Sequence, residues 1–346
     1  RKEHYKGIAL QICYQAGHEY NVPTMAKAMK DALDFYGNAY GPYQFRQLTL
    51  AEIPHYRGSA TAYPGVVFCA EDLNFLGNFS NEQKVNYTYA TVSHEISHQW
   101  WANQLVPQAD SGYKFLTESL AKYSEAALLE KSFGKQALQR YQQADMNLYF
   151  ALREMEKTEL PLYRSEGQSY VHYQKGGLVM YRLKELLGAE KFHLALRNLL
   201  NRHTYPHPKA SAADFLAEIY AQATPAQCIL IADWVKKVMT YDLKITDAAS
   251  QRLSDGSYRL TITIRAHKLE RSISGNKRKV AMHEPFDIAV YQEGTDIRPM
   301  YLQPHWISTS DTTLTMRLPK KPKYASIDPY CFALDPIRED NQKEIK

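Results

Sequence analysis

The sequence predicts a helix-rich α+β domain followed by a small all-β domain, and three observations carry that expectation. Apolar residues recur with helical spacing through most of the first 240 positions. From about residue 240 the period moves from 3.6 towards 2, with turn signals between short apolar runs. The length, 346 residues, is more than one ordinary core fills and suits two or three domains.

The elements follow in order. Gly7 to Tyr14, Tyr43 to Leu50 and Tyr63 to Phe68 are the few strands of the first part. Asn21 to Gly41 carries Met25, Met29, Ala32, Leu33 and Tyr36 on one helical stripe, and Pro23 suits a first turn. Lys84 to Leu105 and Phe115 to Lys131 are two more long helices. Gln136 to Thr158 and Tyr170 to Leu187 come next, the latter stopped by Gly188 just past its end. Ser211 with Asp214, and Thr224 before Pro225, read as helix starts. Beyond residue 240, Tyr258 to Ala266 alternates apolar and polar after the turn signal Asp255-Gly256. Phe286 to Tyr291, Thr312 to Leu318 and Tyr324 to Ile327 continue at the spacing of a β-sandwich. The domains are therefore expected at 1–240 and 241–346.

Composition narrows the function classes. With 45% hydrophobic and 23% charged residues the chain is globular rather than disordered. A net charge of +5 over this length is too small to argue for nucleic acid. Cys13, Cys69, Cys228 and Cys331 are far apart with no C-x-x-C pair, against a zinc ribbon and a disulfide framework. The longest apolar stretch, Cys228 to Val235, is too short to cross a bilayer. The chain opens Arg-Lys-Glu-His without a signal segment, and reads as a soluble piece of something longer. The basic clusters Lys277-Arg278-Lys279 and Lys320-Lys321-Pro322-Lys323 read as solvated loops and protected strand edges.

One constellation carries chemistry. His94-Glu95-Ile96-Ser97-His98 lies in a helical run, where i and i+4 share a face and both imidazoles can reach one ion. Glu95 lies about 100° around the helix, beside the ion, where a general base for a water held there belongs. With 12 His and 21 Glu in the chain, the chance count of H-E-x-x-H is about 0.025. Trp100 and Trp101 follow at once, which marks the helix as buried rather than as a solvated charged face. A catalytic zinc takes three protein ligands. Glu118 is the candidate third, on a run whose stripe Leu116, Leu120, Tyr123 and Ala127 is apolar. Glu125, two turns on, is either an orienter of a ligand histidine or a plain solvated acid.

His94-Glu95-Ile96-Ser97-His98-Gln99-Trp100, followed by Glu118, resembles the aminopeptidase N family of zinc metallopeptidases, the gluzincins. Asn103 also fits that pattern. Nineteen residues separate His98 from Glu118, against eighteen in the best-known members. The extra residue, together with His98-Gln99-Trp100-Trp101 and Thr117-Glu118-Ser119-Leu120-Ala121-Lys122-Tyr123-Ser124, resembles a bacterial branch. In that branch the peptidase is fused to the membrane-spanning permease of an ABC-type transporter. Tyr173-Gln174-Lys175-Gly176 matches the family's Y-x-K-G segment, whose Tyr hydrogen-bonds the developing oxyanion. The plainer reading of Tyr173 is a core tyrosine, and His172 beside it reads as a surface or packing histidine. Phe68-Cys69-Ala70-Glu71-Asp72 lies where the family's G-x-M-E-N segment stands, with Glu71 placed 23 residues before His94. Only the Glu survives from that pattern. The resemblance makes Glu71 the anchor for a substrate's α-amino group; the alternative is a solvated loop acid.

The resemblance, strongest from about Pro64 to Gly188, implies a thermolysin-like zinc peptidase domain followed by the small β-sandwich domain. Its zinc helices lie at about 84–131 and its helical lobe at about 135–240. One Zn2+ is expected on His94, His98 and Glu118, with Glu95 and Tyr173 catalytic and Glu71 binding substrate. The expected activity is an aminopeptidase acting on short peptides. The alternatives are a zinc endopeptidase, if Glu71 faces away, and a non-catalytic peptide-binding module of a transporter. Attachment to a membrane permease of a bacterial membrane protein is implied by the resemblance, and nucleic acid is not an expected partner.

Overall fold

The computed structural model describes residues 1–54, 60–79, 85–110, 112–292 and 298–346. Lys84, the expected start of the second long helix, lies outside them. The chain divides into two compact units, Arg1–Tyr141 with Leu162–Ile229, and Gln142–Pro161 with Leu230–Lys346.

In the first unit β1 (Lys2–Tyr5) and β2 (Ile8–Cys13) form a hairpin, and α1 (Val22–Ala39) leads to β3 (Gln47–Ile53). β4 (Ala60–Tyr63) and β5 (Val66–Ala70) form a second hairpin. The sheet order is β1-β2-β3-β5-β4, with β2, β3 and β5 parallel and β4 an antiparallel edge. The expected stripe of α1 is buried as read, with Met25, Met29, Ala32 and Tyr36 fully enclosed.

α2 (Tyr87–Ser97) begins at Asn86, whose side-chain oxygen accepts the Tyr89 N–H at 2.9 Å. It stops eight residues short of the expected Leu105. After Ser97 the backbone tightens to i→i−3 bonds, and Ala102 takes φ +147°, which no helix continues through. The expected helix from Phe115 is a π turn (Phe115–Ser119) running into α3 (Leu120–Phe133). α4 (Lys135–Glu154) follows. A π turn (Val171–Lys175) then opens α5 (Gly176–Leu187), which ends at Gly188 with φ +83°, a positive φ that glycine adopts without a Cβ clash. α6 (Ala189–His203), α7 (Ala212–Ala221) and α8 (Pro225–Lys236) complete the helices. α7 starts with the Ser211–Asp214 capping box.

In the second unit β6 (Val238–Arg252), β7 (Tyr258–Arg271), β8 (Lys277–Val280), β9 (Glu284–Gln292), β10 (Tyr301–Ile307), β11 (Asp311–Leu318), β12 (Pro322–Ile327) and β13 (Gln342–Glu344) form two antiparallel sheets. Their orders are β11-β7-β6, with β8 on β7, and β10-β9-β12-β13. Leu243, Ile262 and Ile264 of one sheet share a buried core with Ile288, Val290 and Ile327 of the other. Burying each such side chain contributes about 1.5–3 kcal/mol.

The expected boundary after residue 240 falls inside β6; contacts place it at Leu230 and add residues 142–161. The reason is local. Trp234 of α8 hydrogen-bonds Tyr241 at 2.9 Å and Glu284 at 3.2 Å, and the Glu159 N–H bonds the Ile273 carbonyl at 3.4 Å. The four cysteines are free thiols. Among the described residues no helix is long and apolar enough to cross a membrane.

Candidate metal centre

α2 is fixed before any chemistry is considered. Tyr36 of α1 donates to the Ser93 carbonyl at 3.1 Å, Trp100 Nε1 to Gly41 O at 2.9 Å, and Trp101 Nε1 to Ser124 Oγ of α3 at 3.0 Å. Gln99 joins this helix end to the β4–β5 turn: its amide donates to Tyr63 O at 3.0 Å and accepts the Gly65 N–H at 2.8 Å. The residues that follow the second histidine therefore hold the helix against the edge of the sheet.

His94 and His98 present their Nε2 atoms to one oxygen, Glu118 Oε2, at 3.5 and 3.4 Å. Their other ring nitrogens are held from behind. His94 Nδ1 lies 3.1 Å from Glu125 Oε2, and His98 Nδ1 lies 2.9 Å from the Trp101 carbonyl. A carbonyl only accepts, so the proton of a neutral His98 sits on Nδ1 and its Nε2 lone pair points at Glu118. Glu125 is thus in contact with a ligand histidine rather than solvated; Lys122 Nζ is 3.5 Å from the same carboxylate oxygen.

All three residues are buried, and Glu118 Oε2 has no hydrogen-bond partner. Two imidazole nitrogens and a carboxylate oxygen thus converge with no hydrogen bond at normal distance between them, and once both rings are neutral all three are acceptors that a cation can join. Burial disfavours charge on His94, yet Glu118 and Glu125 outweigh it and push its pKa up to about 10. Burial is likewise outweighed at Glu118, which the two imidazoles hold well below the usual carboxylate range. Tetrahedral bonds of about 2.0–2.1 Å place ligand atoms about 3.4 Å apart, so the observed separations fit zinc.

Two π turns bring the remaining groups in. One carries Glu118 and the other Tyr173, and π turns are over-represented at functional sites. Ser119 Oγ donates to the His172 carbonyl at 2.7 Å, joining them. A Cβ on Gly176 would lie 2.1 Å from Ser119 Oγ, so the glycine after Lys175 is what lets the turns meet. The Tyr173 ring stacks on His94 with centroids 5.9 Å apart. Burial first, then the Glu118 charge, raises the Tyr173 pKa, so its phenol stays protonated and can donate. Burial also raises the pKa of Glu95, which strengthens it as a base. His172 is buried in packing.

Glu95, His98, Glu118 and Tyr173 line one cavity of about 710 Å³. Its wall includes Ala60, Thr61 and Ala62 of the edge strand β4. Glu71, the expected amine anchor, is not among the residues that line this cavity. It heads the turn after β5 and groups with His18 and Glu52, because β5 lies inside the sheet and β4 is the strand at its edge. The acids on the wall that sequence reading missed are Asp110 and Glu166, both in irregular segments with no periodic signal. Lys114, 3.5 Å from Glu118 Oε1, was also missed, although its i, i+4 spacing was there to read.

Comparison with known proteins agrees with this geometry. Residues 24–241 match the peptidase family M1 domain. Aminopeptidase M1-B of Oryza sativa subsp. japonica is 26% identical over 273 residues, covering 73% of this chain and 30% of that protein. Endoplasmic reticulum aminopeptidase 2 of Homo sapiens is 27% identical over 189 residues, covering 51% and 19%. The crystal structure of Legionella pneumophila aminopeptidase A in complex with aspartic acid superposes with a TM-score of 0.60 at 14% identity. That match covers 97% of this chain and 38% of the other, and shows the shared fold. The chain spans less than two-fifths of the length of each of these proteins. The match over residues 24–241 decides the family: the chain belongs to peptidase family M1, a family of zinc metallopeptidases.

Proposed function

We propose that this chain is the catalytic core of an aminopeptidase that binds one zinc ion on His94, His98 and Glu118. The observation that carries the reading is the buried Glu118 oxygen without a hydrogen bond, facing the Nε2 atoms of two histidines. Zinc held there supplies Lewis-acid polarisation of a scissile carbonyl and a more acidic water. Glu95 accepts the proton of the attacking water and returns it to the leaving amine. Tyr173 donates a hydrogen bond to the carbonyl oxygen as it takes on charge. Glu125 and the Trp101 carbonyl hold the imidazoles in the tautomer that binds metal.

The M1 relatives named aminopeptidases support release of N-terminal residues. Asp110 and Glu166 are the wall acids outside the metal cluster and its base, and so the groups open to a substrate ammonium. A second reading, an endopeptidase, is favoured by one observation, the placement of Glu71 off the cavity wall. Hydrolysis of a free-amine tripeptide against its N-acetylated twin separates the two. Preference for the free amine supports the aminopeptidase, equal rates the endopeptidase. Zinc binding with no cleavage of either indicates a peptide-binding module. The one-residue-longer interval before Glu118 supports attachment to a membrane permease, which sedimentation of the full-length product with membranes tests.

A further inference from the structure

We propose that His18, Glu52 and Glu71 form a second divalent-cation site, distinct from the His94–His98–Glu118 cluster, and that it takes a hydrated ion of the Mn2+ class.

One ligand atom from each of the three residues lies within 4.8 Å of the others, close enough for one ion to reach all three. They come from three separate segments: His18 from the loop after β2, Glu52 from β3, and Glu71 from the turn directly after β5. β2, β3 and β5 are adjacent and parallel, so the cluster sits at the carboxyl edge of the parallel strands. That edge is where open parallel sheets gather their ligands.

Among the described residues the charges at this edge do not close. The Glu52 side chain is only 3% exposed, and its carboxylate is oriented by the Gln15 N–H at 2.6 Å and by a close contact with His18 Nδ1. Glu71 brings a second carboxylate to the same point. One imidazole neutralises at most one of two acids, so the site stays net negative in either state of His18. An ion there would tie the 14–21 loop, the end of β3 and the turn at Glu71 together, and it would stabilise the fold by mass action.

The donor set selects the ion. Two carboxylate oxygens and one imidazole nitrogen, with His18 and Glu71 partly exposed, leave room for water and suit Mn2+ better than a closed zinc site. The three π turns among the described residues give a second line of support. Two of them carry Glu118 and Tyr173, and the third, Glu71–Phe75, begins with Glu71. This inference stands apart from the peptidase reading, because none of its residues lines the cavity.

The test is Mn2+ binding followed by electron paramagnetic resonance on four proteins: wild type, His18→Ala, Glu71→Gln and His94→Ala. The expected result is one Mn2+ per chain in wild type and in His94→Ala. Its affinity should fall at least about tenfold in both His18→Ala and Glu71→Gln. Glu71→Gln is nearly isosteric and keeps the fold, and Mn2+ should raise the melting temperature of wild type but not of this variant. No Mn2+ uptake by wild type overturns the site, as does uptake unchanged in both cluster variants. Uptake lost only in His94→Ala places the ion in the cavity cluster and also overturns it. Absence of zinc from wild type, with this Mn2+ pattern intact, would sink the peptidase reading alone.

Discussion

Glu118 in the first unit and Glu284 in the second are both buried acids, and their surroundings are opposite. Glu284 is fully enclosed, but the protein supplies its counter-charge. Lys268, itself 2% exposed, touches it and also Asp233, while Tyr241 and Trp234 donate to its other oxygen at 2.8 and 3.2 Å. Among the described residues Glu118 Oε2 has no hydrogen-bond partner, and two imidazole nitrogens face it at 3.5 and 3.4 Å. The first arrangement is closed and needs nothing more. The second keeps a place for a cation from outside. Burial of charge alone therefore does not mark a functional site. What marks it is a donor set left incomplete by the protein's own groups.

The largest effect that sharpens this contrast is loss of the incomplete set. His94→Ala or Glu118→Ala should lower zinc from one per chain to none and bring peptide hydrolysis to background, with the fold retained by circular dichroism. Full zinc occupancy in either variant would break the assignment. Next come the groups that act on the reaction without holding metal. Glu95→Gln should keep zinc and lower kcat by about 10²–10⁴, since an amide cannot accept the proton. Tyr173→Phe should lower kcat by about 10²–10³ with KM little changed. A change in KM alone would remove Tyr173 from the transition state.

The closed set should answer differently. Glu284→Ala takes from the buried Lys268 one of its two acids, leaving Asp233, and should cost up to about 3–5 kcal/mol in denaturant unfolding, with zinc stoichiometry untouched. Zinc loss at wild-type stability would erase the distinction between the two clusters. Glu125→Gln keeps an oxygen beside His94 but removes the charge, and zinc affinity should fall about 10–100-fold on metal titration.

The smallest effect is a slope with pH. Without metal, His94 keeps its proton up to about pH 10, so zinc must displace it. Apparent zinc affinity should rise about tenfold per pH unit from neutrality until that value, with about one proton released per ion. Calorimetry in buffers of different ionisation heat reads the released proton directly. Affinity flat with pH would mean that His94 is already neutral in the metal-free protein.

Much of the centre was legible in the linear chain because it is built from short-range periodicity. H-E-x-x-H at i and i+4 fixes two ligands on one helix face whatever the rest of the fold does, and Glu118 stands out as an acid in an apolar stripe. The alternation of Tyr258 to Ala266 announced a strand for the same reason, since side-chain direction follows the local backbone. The contacts of Glu125, the meeting of the two π turns through Gly176 and Ser119, and the end of α2 at Ser97 depend on partners distant in the chain. Sequence spacing could leave Glu125 only as an even choice, and it gave the zinc helix eight residues too many.

Glu71 shows the limit most plainly. Its distance from His94 along the chain is right for an amine anchor. But the order β2-β3-β5-β4 puts β4, not β5, at the edge of the sheet beside the cavity, and turns Glu71 towards His18 and Glu52. By itself the sequence determined the chemistry of the ligands and the helix that carries two of them, because those are set within a turn or two of backbone. Which strand borders the cavity, which acids line it, and which buried charges are closed were decided only by strand pairing and helix packing, which join residues with no local relation to one another.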